Sequence, residues 1–106
     1  MGKIDRFLAK PQEVEIGGEK YFLKPFTVDD LPMMTKMNSK DENIQAKAIQ
    51  DAIFKVMKQI DSDCTYEQVK EVSVEFLTEI MNAIGKVNSI EIDEAQAKLI
   101  QKIKSQ

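Results

Sequence analysis

The pair Gly17-Gly18 constrains this chain more than any other feature. Two adjacent glycines accept positive φ at both central positions of a two-residue primed turn, the turn that joins twisted antiparallel strands. On one side Val14 and Ile16 alternate with Glu13 and Glu15, and on the other the chain returns as Glu19-Lys20-Tyr21-Phe22-Leu23-Lys24. A two-residue loop pairs Ile16 with Glu19, Glu15 with Lys20 and Val14 with Tyr21. That register gathers Val14, Ile16, Tyr21 and Leu23 on one face, turns Phe22 to the other, and sets Glu15 opposite Lys20 as a cross-strand ion pair. An isolated hairpin is marginal in water, so its apolar face demands a cover of helices.

The rest of the chain supplies that cover. Pro25 ends the second strand, because it has no N–H to give a ladder. Thr27 followed by Asp29 and Asp30 reads as an N-cap with acids in the first turn, opening a short helix over about 28–37. Pro32 is tolerated near its start, and Asn38-Ser39 breaks it. Ser39-Lys40-Asp41-Glu42 has the form of a capping box and opens a helix over 41–60. Its apolar stripe is Ile44, Ala48, Ile49, Ala52, Ile53, Val56, Met57 and Ile60, at the spacing of an amphipathic helix. Thr65-Tyr66-Glu67-Gln68 is a second capping box, opening a helix over about 66–84. Val69, Val72, Phe76, Leu77, Ile80, Met81 and Ile84 face inward there, Ser73 is a point of kink or restart, and Gly85 is the C-cap. Asp93 caps a last, polar helix over about 94–104. The expected fold is α+β, mostly α: an N-terminal β-hairpin over 12–24 packed on a small domain of four to five helices. Residues 1–11 form an arm whose bulky apolar pair is Phe7-Leu8, and residues 12–106 form one domain, which the length of 106 residues allows.

Composition narrows the chemistry. There is no histidine, so no Ser-His-Asp or Cys-His pair and no histidine metal site is available. The single cysteine, Cys64, has no internal disulfide partner and acidic neighbours, which suits a reduced cytoplasmic protein rather than a reactive thiol. Asp61-Ser62-Asp63 begins like a calcium loop, but Tyr66 stands where glycine is needed and Val72 where glutamate is needed. No Gly-Lys-Ser/Thr follows Gly17-Gly18, so they form no phosphate loop. The expectation is a non-enzymatic chain without catalytic residues, cofactor or metal. No apolar run reaches membrane-spanning length.

The net charge of −3 is unevenly distributed. Residues 61–94 carry nine acids against two bases, whereas residues 95–106 carry three lysines and no acid. Glu67, Glu71, Glu75 and Glu79 recur every four residues and form one acidic ridge if their helix is continuous. Such a ridge steers a basic partner or a second copy of the chain. Met33, Met34 and Met37 crowd one short helix; Met37 belongs to the core, and Met33 and Met34 are candidates for an adaptable contact surface. Phe7 and Leu8 are candidates for a docking arm. Lys98, Lys102 and Lys104 are the sole support for a small nucleic-acid-binding regulatory domain, a reading the acidic balance opposes.

The block Val14-Glu15-Ile16-Gly17-Gly18-Glu19-Lys20-Tyr21-Phe22-Leu23-Lys24-Pro25-Phe26-Thr27-Val28-Asp29-Asp30-Leu31 resembles the opening of many tail assembly chaperones of long-tailed bacteriophages. Those proteins often begin with a hairpin ending in a leucine, base, proline, apolar, threonine phrase before an acid-capped helix. The phrase from Thr65 to Leu77 is similar to their Thr-x-Glu-Glu-Val helix with its following kink, and the resemblance covers about residues 12–87. It implies a cytoplasmic protein of the bacterial host that binds and solubilises the long helical tape measure protein, and helps recruit the tail tube protein. The different class left open is a structural tail or connector subunit that self-assembles.

Overall fold

The computed structural model describes residues 2–88. Its sheet is the expected hairpin: β1 (Gln12–Ile16) runs antiparallel to β2 (Glu19–Leu23), with Val14 opposite Tyr21 and Ile16 opposite Glu19. Gly17 and Gly18 both take positive φ, 62° and 84°, as a primed turn requires. Val14, Ile16 and Leu23 are buried, Tyr21 is half-buried, and Phe22 faces outward at 66% exposure. The cross-strand charge pair differs from the expected one. Lys20 reaches diagonally to Glu13 at 3.6 Å instead of bonding Glu15 directly opposite. A long lysine on a twisted ribbon reaches its diagonal neighbour, and both groups stay in solvent.

Four α-helices follow among the described residues: α1 (Leu31–Met37), α2 (Glu42–Ile60), α3 (Tyr66–Lys70) and α4 (Leu77–Asn88). The chain is α+β, mostly α, with the hairpin packed on helices. β2 lies against α2, β1 lies against α4, and α1 packs on α2. The core is one cluster in which Leu23, Ile80, Met81 and Ile84 are the largest fully enclosed side chains. Each such residue contributes about 1.5–3 kcal/mol through burial. Hydrogen bonds tie the hairpin ends to the helices. The Lys24 N–H donates to Gln59 Oε1 at 2.7 Å, and the Phe26 N–H donates to Asn88 Oδ1 at 2.7 Å.

The helix starts follow from their caps, with one correction. Thr27 and Asp30 form a reciprocal box ahead of α1: the Thr27 N–H donates to Asp30 Oδ2 at 2.9 Å. Asp30 is buried and also pairs with Lys55 of α2. Burial alone pushes its carboxyl up, but the Lys55 hydrogen bond, the Thr27 N–H, the Lys55 charge and the Thr27 hydroxyl outweigh burial. Together they hold it below the usual carboxylate range. For α2 the N-cap is Asp41, which accepts from Asn43 N at 2.9 Å and Ile44 N at 3.3 Å. The expected Ser39–Glu42 box does not form; Ser39 Oγ accepts instead from the Asp41 N–H. An anionic oxygen at the helix start is favoured by the exposed N–H groups and the helix dipole.

The largest departure is in the stretch read as one helix over 66–84. It is two helices. α3 stops at Lys70, Ser73 takes extended backbone with φ −64° and ψ 136°, a 3-10 turn covers Val74–Phe76, and α4 begins at Leu77. Ser73 Oγ accepts from the Glu75 N–H at 3.3 Å, so the serine offers the backbone a local bond in place of the helical one. Val72 and Val74, both β-branched, add little helix propensity on either side. At the far end Gly85 is no cap: α4 runs through it to Asn88, and Gly85 is buried within the helix. Two side chains also lie elsewhere than expected. Ile44 is 45% exposed, on the edge of the α2 stripe, and Gln45, on the face of Ala48, Ile49 and Ala52, takes the buried position, donating from Nε2 to the Met37 carbonyl at 3.0 Å. Phe76 stays partly exposed, with its ring edge 3.4 Å from where a Cβ on Gly17 would stand. Ile90, Ile92 and the expected helix over 94–104 lie outside the described residues. Among the described residues no helix is long and apolar enough to cross a membrane.

Candidate partner-binding surface

The interruption at Ser73 decides where the surface opens. A continuous helix would lay Val69, Val72 and Phe76 on α2 as one stripe. With the helix broken, Val69 is buried, Val72 is half-buried and Phe76 lies over the hairpin turn. The cover is therefore incomplete, and a groove remains between α2 and the 69–80 stretch. Ile49, Ile53, Val69, Val72, Val74 and Leu77 line it, and it encloses about 150 Å³. Val74 is 46% exposed at its edge.

The start of α3 is held firmly against α2. Tyr66 packs edge-on against Phe54, with ring centroids 5.3 Å apart at 76°. Its hydroxyl donates to Asp51 Oδ1 at 2.9 Å and accepts from Lys47 Nζ at 2.9 Å, while Lys47 also bonds Asp51 at 2.8 Å. Those hydrogen bonds to Asp51 and then Tyr66 push the Lys47 ammonium above the usual lysine range. Thr65 caps the helix in the expected box, with Gln68 Oε1 accepting from the Thr65 N–H at 3.0 Å. The start of α3 is thus fixed at Tyr66, while the groove wall at Val72 and Ser73 has no helical support.

The four glutamates singled out by their spacing are all exposed, but they do not form the single ridge of a continuous helix. Glu67 and Glu71 belong to the α3 end, Glu75 to the 3-10 turn and Glu79 to α4. Glu67 meets Lys70 at 3.4 Å, and Lys70 also sits 5.6 Å from the Tyr66 ring centre. Glu71, Glu75 and Glu79 form no ion pair among the described residues. The groove's lining is mostly apolar, and Lys70 is its one charged residue. Comparison with protein-family models, with curated proteins and with solved structures finds no match.

The other candidates are scattered. Phe7 and Leu8 end a 3-10 turn over Lys3–Phe7 and are 73% and 56% exposed, bordering a shallow cleft with Phe26 and Val28. The Arg6 guanidinium lies 4.9 Å from the Phe7 ring centre, a contact local to the arm. Met33 and Met34 are half-buried, with Met33 packed against the core, and neither lines the groove. Met37 is buried as expected. Asp61 makes a turn rather than a metal site, accepting from the Asp63 N–H at 2.9 Å, and no acid or cysteine cluster among the described residues could hold a metal ion. Cys64 is half-buried against the core. Sequence reasoning missed Ala46 and Gln50 on the α2 side and Val74 on the other. A signal for Val74 was present, since Val72-Ser73-Val74 is the poorest helical stretch in the 66–84 run.

Proposed function

We propose that this chain is a non-enzymatic assembly chaperone that shields an apolar helical segment of a larger protein. The reading favoured by the resemblance is a tail assembly chaperone acting on a tape measure protein, with the tail tube protein as a further partner. The observation that carries the docking reading is the groove between α2 and the broken α3–α4 cover, with Val74 half-exposed at its edge. Helix-binding proteins use grooves of this kind, walled by helices and lined by aliphatic side chains. A host-cell cytoplasmic location and a role in virion morphogenesis belong to the same proposal.

Co-expression provides the test. A tape measure protein produced with this chain should move from the insoluble to the soluble fraction and co-purify with it. Val74→Asp should remove that effect while the chain itself stays folded. Unchanged solubility and no co-purification with the unsubstituted chain would rule the chaperone out. A ring or tube of fixed stoichiometry in mass photometry would instead support the self-assembling tail subunit.

A further inference from the structure

The hairpin has two outer edges, and the rest of the chain treats them differently. In an antiparallel pair, alternate residues turn their N–H and C=O groups into the ladder and out of it. Bonds made outside the ladder show which residues point outward. The Glu13 carbonyl accepts from Lys86 Nζ at 3.3 Å, so Glu13 and its cross-strand partner Phe22 face out. The Lys24 N–H donates to Gln59 Oε1 at 2.7 Å and its carbonyl accepts from Gln59 Nε2 at 3.5 Å, on the same edge as Phe22 and Lys20. The β1 edge is thus partly closed by Lys86, and its outward side chains are the acids Glu13 and Glu15. On β2 the Gln59 amide stands in for a third strand at Lys24 and goes no further. The N–H and C=O groups of Phe22 and Lys20 have no partner among the described residues. The side chains of that edge state what can pair with it. Phe22 is 66% exposed, and the exposed Lys20 and Lys24 flank it on the same face. Lys20 meets Glu13 at 3.6 Å, an exposed pair worth little, and Lys24 has no ion pair among the described residues. Past Phe22 the edge runs into a shallow cleft lined by Lys24, Phe26, Lys55 and Gln59, whose one acid, Asp30, is already paired with Lys55. A second copy of β2 would bring the same lysines to both sides of one ladder, and like charges there oppose pairing.

We infer that the open edge of β2 takes an extended segment of a partner protein as a third strand, with an apolar side chain beside Phe22 and acidic side chains within reach of Lys20 and Lys24. An antiparallel strand exchanges one pair of N–H···O bonds with Phe22 and another with Lys20. Those main-chain bonds give affinity, and the alternating side chains give specificity. Gln59 fixes the register by ending the ladder at Lys24. Because both lysines are exposed, the charge preference is screened by salt. This surface is separate from the α2 groove, and the inference stands or falls independently of helix docking.

The experiment uses the full chain and three synthetic extended peptides with the same central isoleucine and with Glu, Gln or Lys at the flanking positions. A fourth is the Glu peptide with its edge-facing amides N-methylated. Binding is read by fluorescence anisotropy, and the site by amide hydrogen exchange at Lys20 and Phe22. The Glu peptide should slow exchange at both amides and bind about fivefold more tightly than the Gln peptide, through two cross-strand ion pairs, with the Lys peptide weakest and the spread shrinking in high salt. N-methylation should abolish binding, since it removes the peptide's edge-facing donors and leaves its side chains intact. Lys20→Gln/Lys24→Gln should bring the Glu peptide down to the Gln peptide's affinity, and Phe22→Ala should weaken all three; both variants alter exposed side chains, and circular dichroism checks that the fold is kept. Equal affinity of the Glu, Gln and Lys peptides overturns the acidic preference. Unchanged exchange at Lys20 and Phe22 with every peptide, or undiminished binding of the N-methylated peptide, overturns the added strand. Slow exchange at these amides in the free chain at every concentration assigns the edge to another segment of the same chain, and protection that grows with concentration assigns it to a second copy. Either result overturns the partner strand.

Discussion

Two neighbouring stretches, α4 and α3 with its following turn, cover the same helix α2 to different depths. α4 buries Leu77, Ile80, Met81, Ala83, Ile84, Gly85 and Val87, seven of its twelve residues. The stretch over 66–76 buries only Val69. α4 packs on both β1 and α2, whereas α3 packs on α2 and the turn after it meets α4 and, through Phe76, the hairpin turn. Burial is concentrated in the first stretch, and an apolar surface stays open beside the second, so local opening is expected first over 66–76.

Substitutions can break or sharpen that contrast. Ile80→Ala or Ile84→Ala, each 1% exposed, should cost about 3 kcal/mol and lower the melting temperature by roughly 10–20 °C, measured by circular dichroism. A cost below about 1 kcal/mol would show that α4 is not the main cover. Asp30→Asn, which removes the charge pairing with Lys55, should cost about 1–2 kcal/mol at neutral pH. The folded-state value of Asp30 is depressed, so its contribution is fully present above the ordinary carboxylate value near ~3.9 and is lost as pH falls through the lower folded value. Urea titrations across that acid window should therefore be flatter for Asp30→Asn than for the parent. Gly17→Ala places a Cβ on backbone with φ +62° and 3.4 Å from the Phe76 ring, and about 1–2 kcal/mol of lost stability is expected. Thr65→Ala removes the α3 cap at about 1 kcal/mol, and amide exchange should accelerate over 66–72 while the hairpin is unaffected. Val74→Ala is the smallest effect: below about 0.5 kcal/mol in denaturation, because its side chain is half in solvent, yet with weaker helix binding.

Much of the scaffold was legible before any coordinates. The Gly17-Gly18 turn dictated the hairpin register, and side-chain alternation then dictated which face is buried. Thr65 and Gln68 announced their cap through spacing. The stripe from Ala48 to Val56 announced the core face of α2. The misses share a physical cause. Asp41 took the cap from Ser39 because both are competent caps two residues apart, and the neighbouring backbone decides between them. Ile44 and Gln45 exchanged roles because both lie at helical spacing from Ala48, and only the packing across α2 decides which of the two faces the core. Phe76 reads as inward on a helical wheel that Ser73 interrupts. The groove was not legible at all: the acids at four-residue spacing read as one continuous ridge, which the break at Ser73 divides. Met33, Met34, Phe7 and Leu8 lie apart from it.

The sequence by itself determined the local structure of this protein: a hairpin with one apolar face, capped helices with apolar stripes, no histidine, and acid concentrated after residue 60. Those follow from φ preferences, capping and periodicity, which act within a few residues. Only the tertiary structure decided that α4 enters the core through Gly85 to Asn88, that Asp30 is buried against Lys55, and that the break at Ser73 leaves α2 partly uncovered. Each depends on what lies across from a residue rather than beside it, and burial across elements is where the larger share of the folding free energy arises.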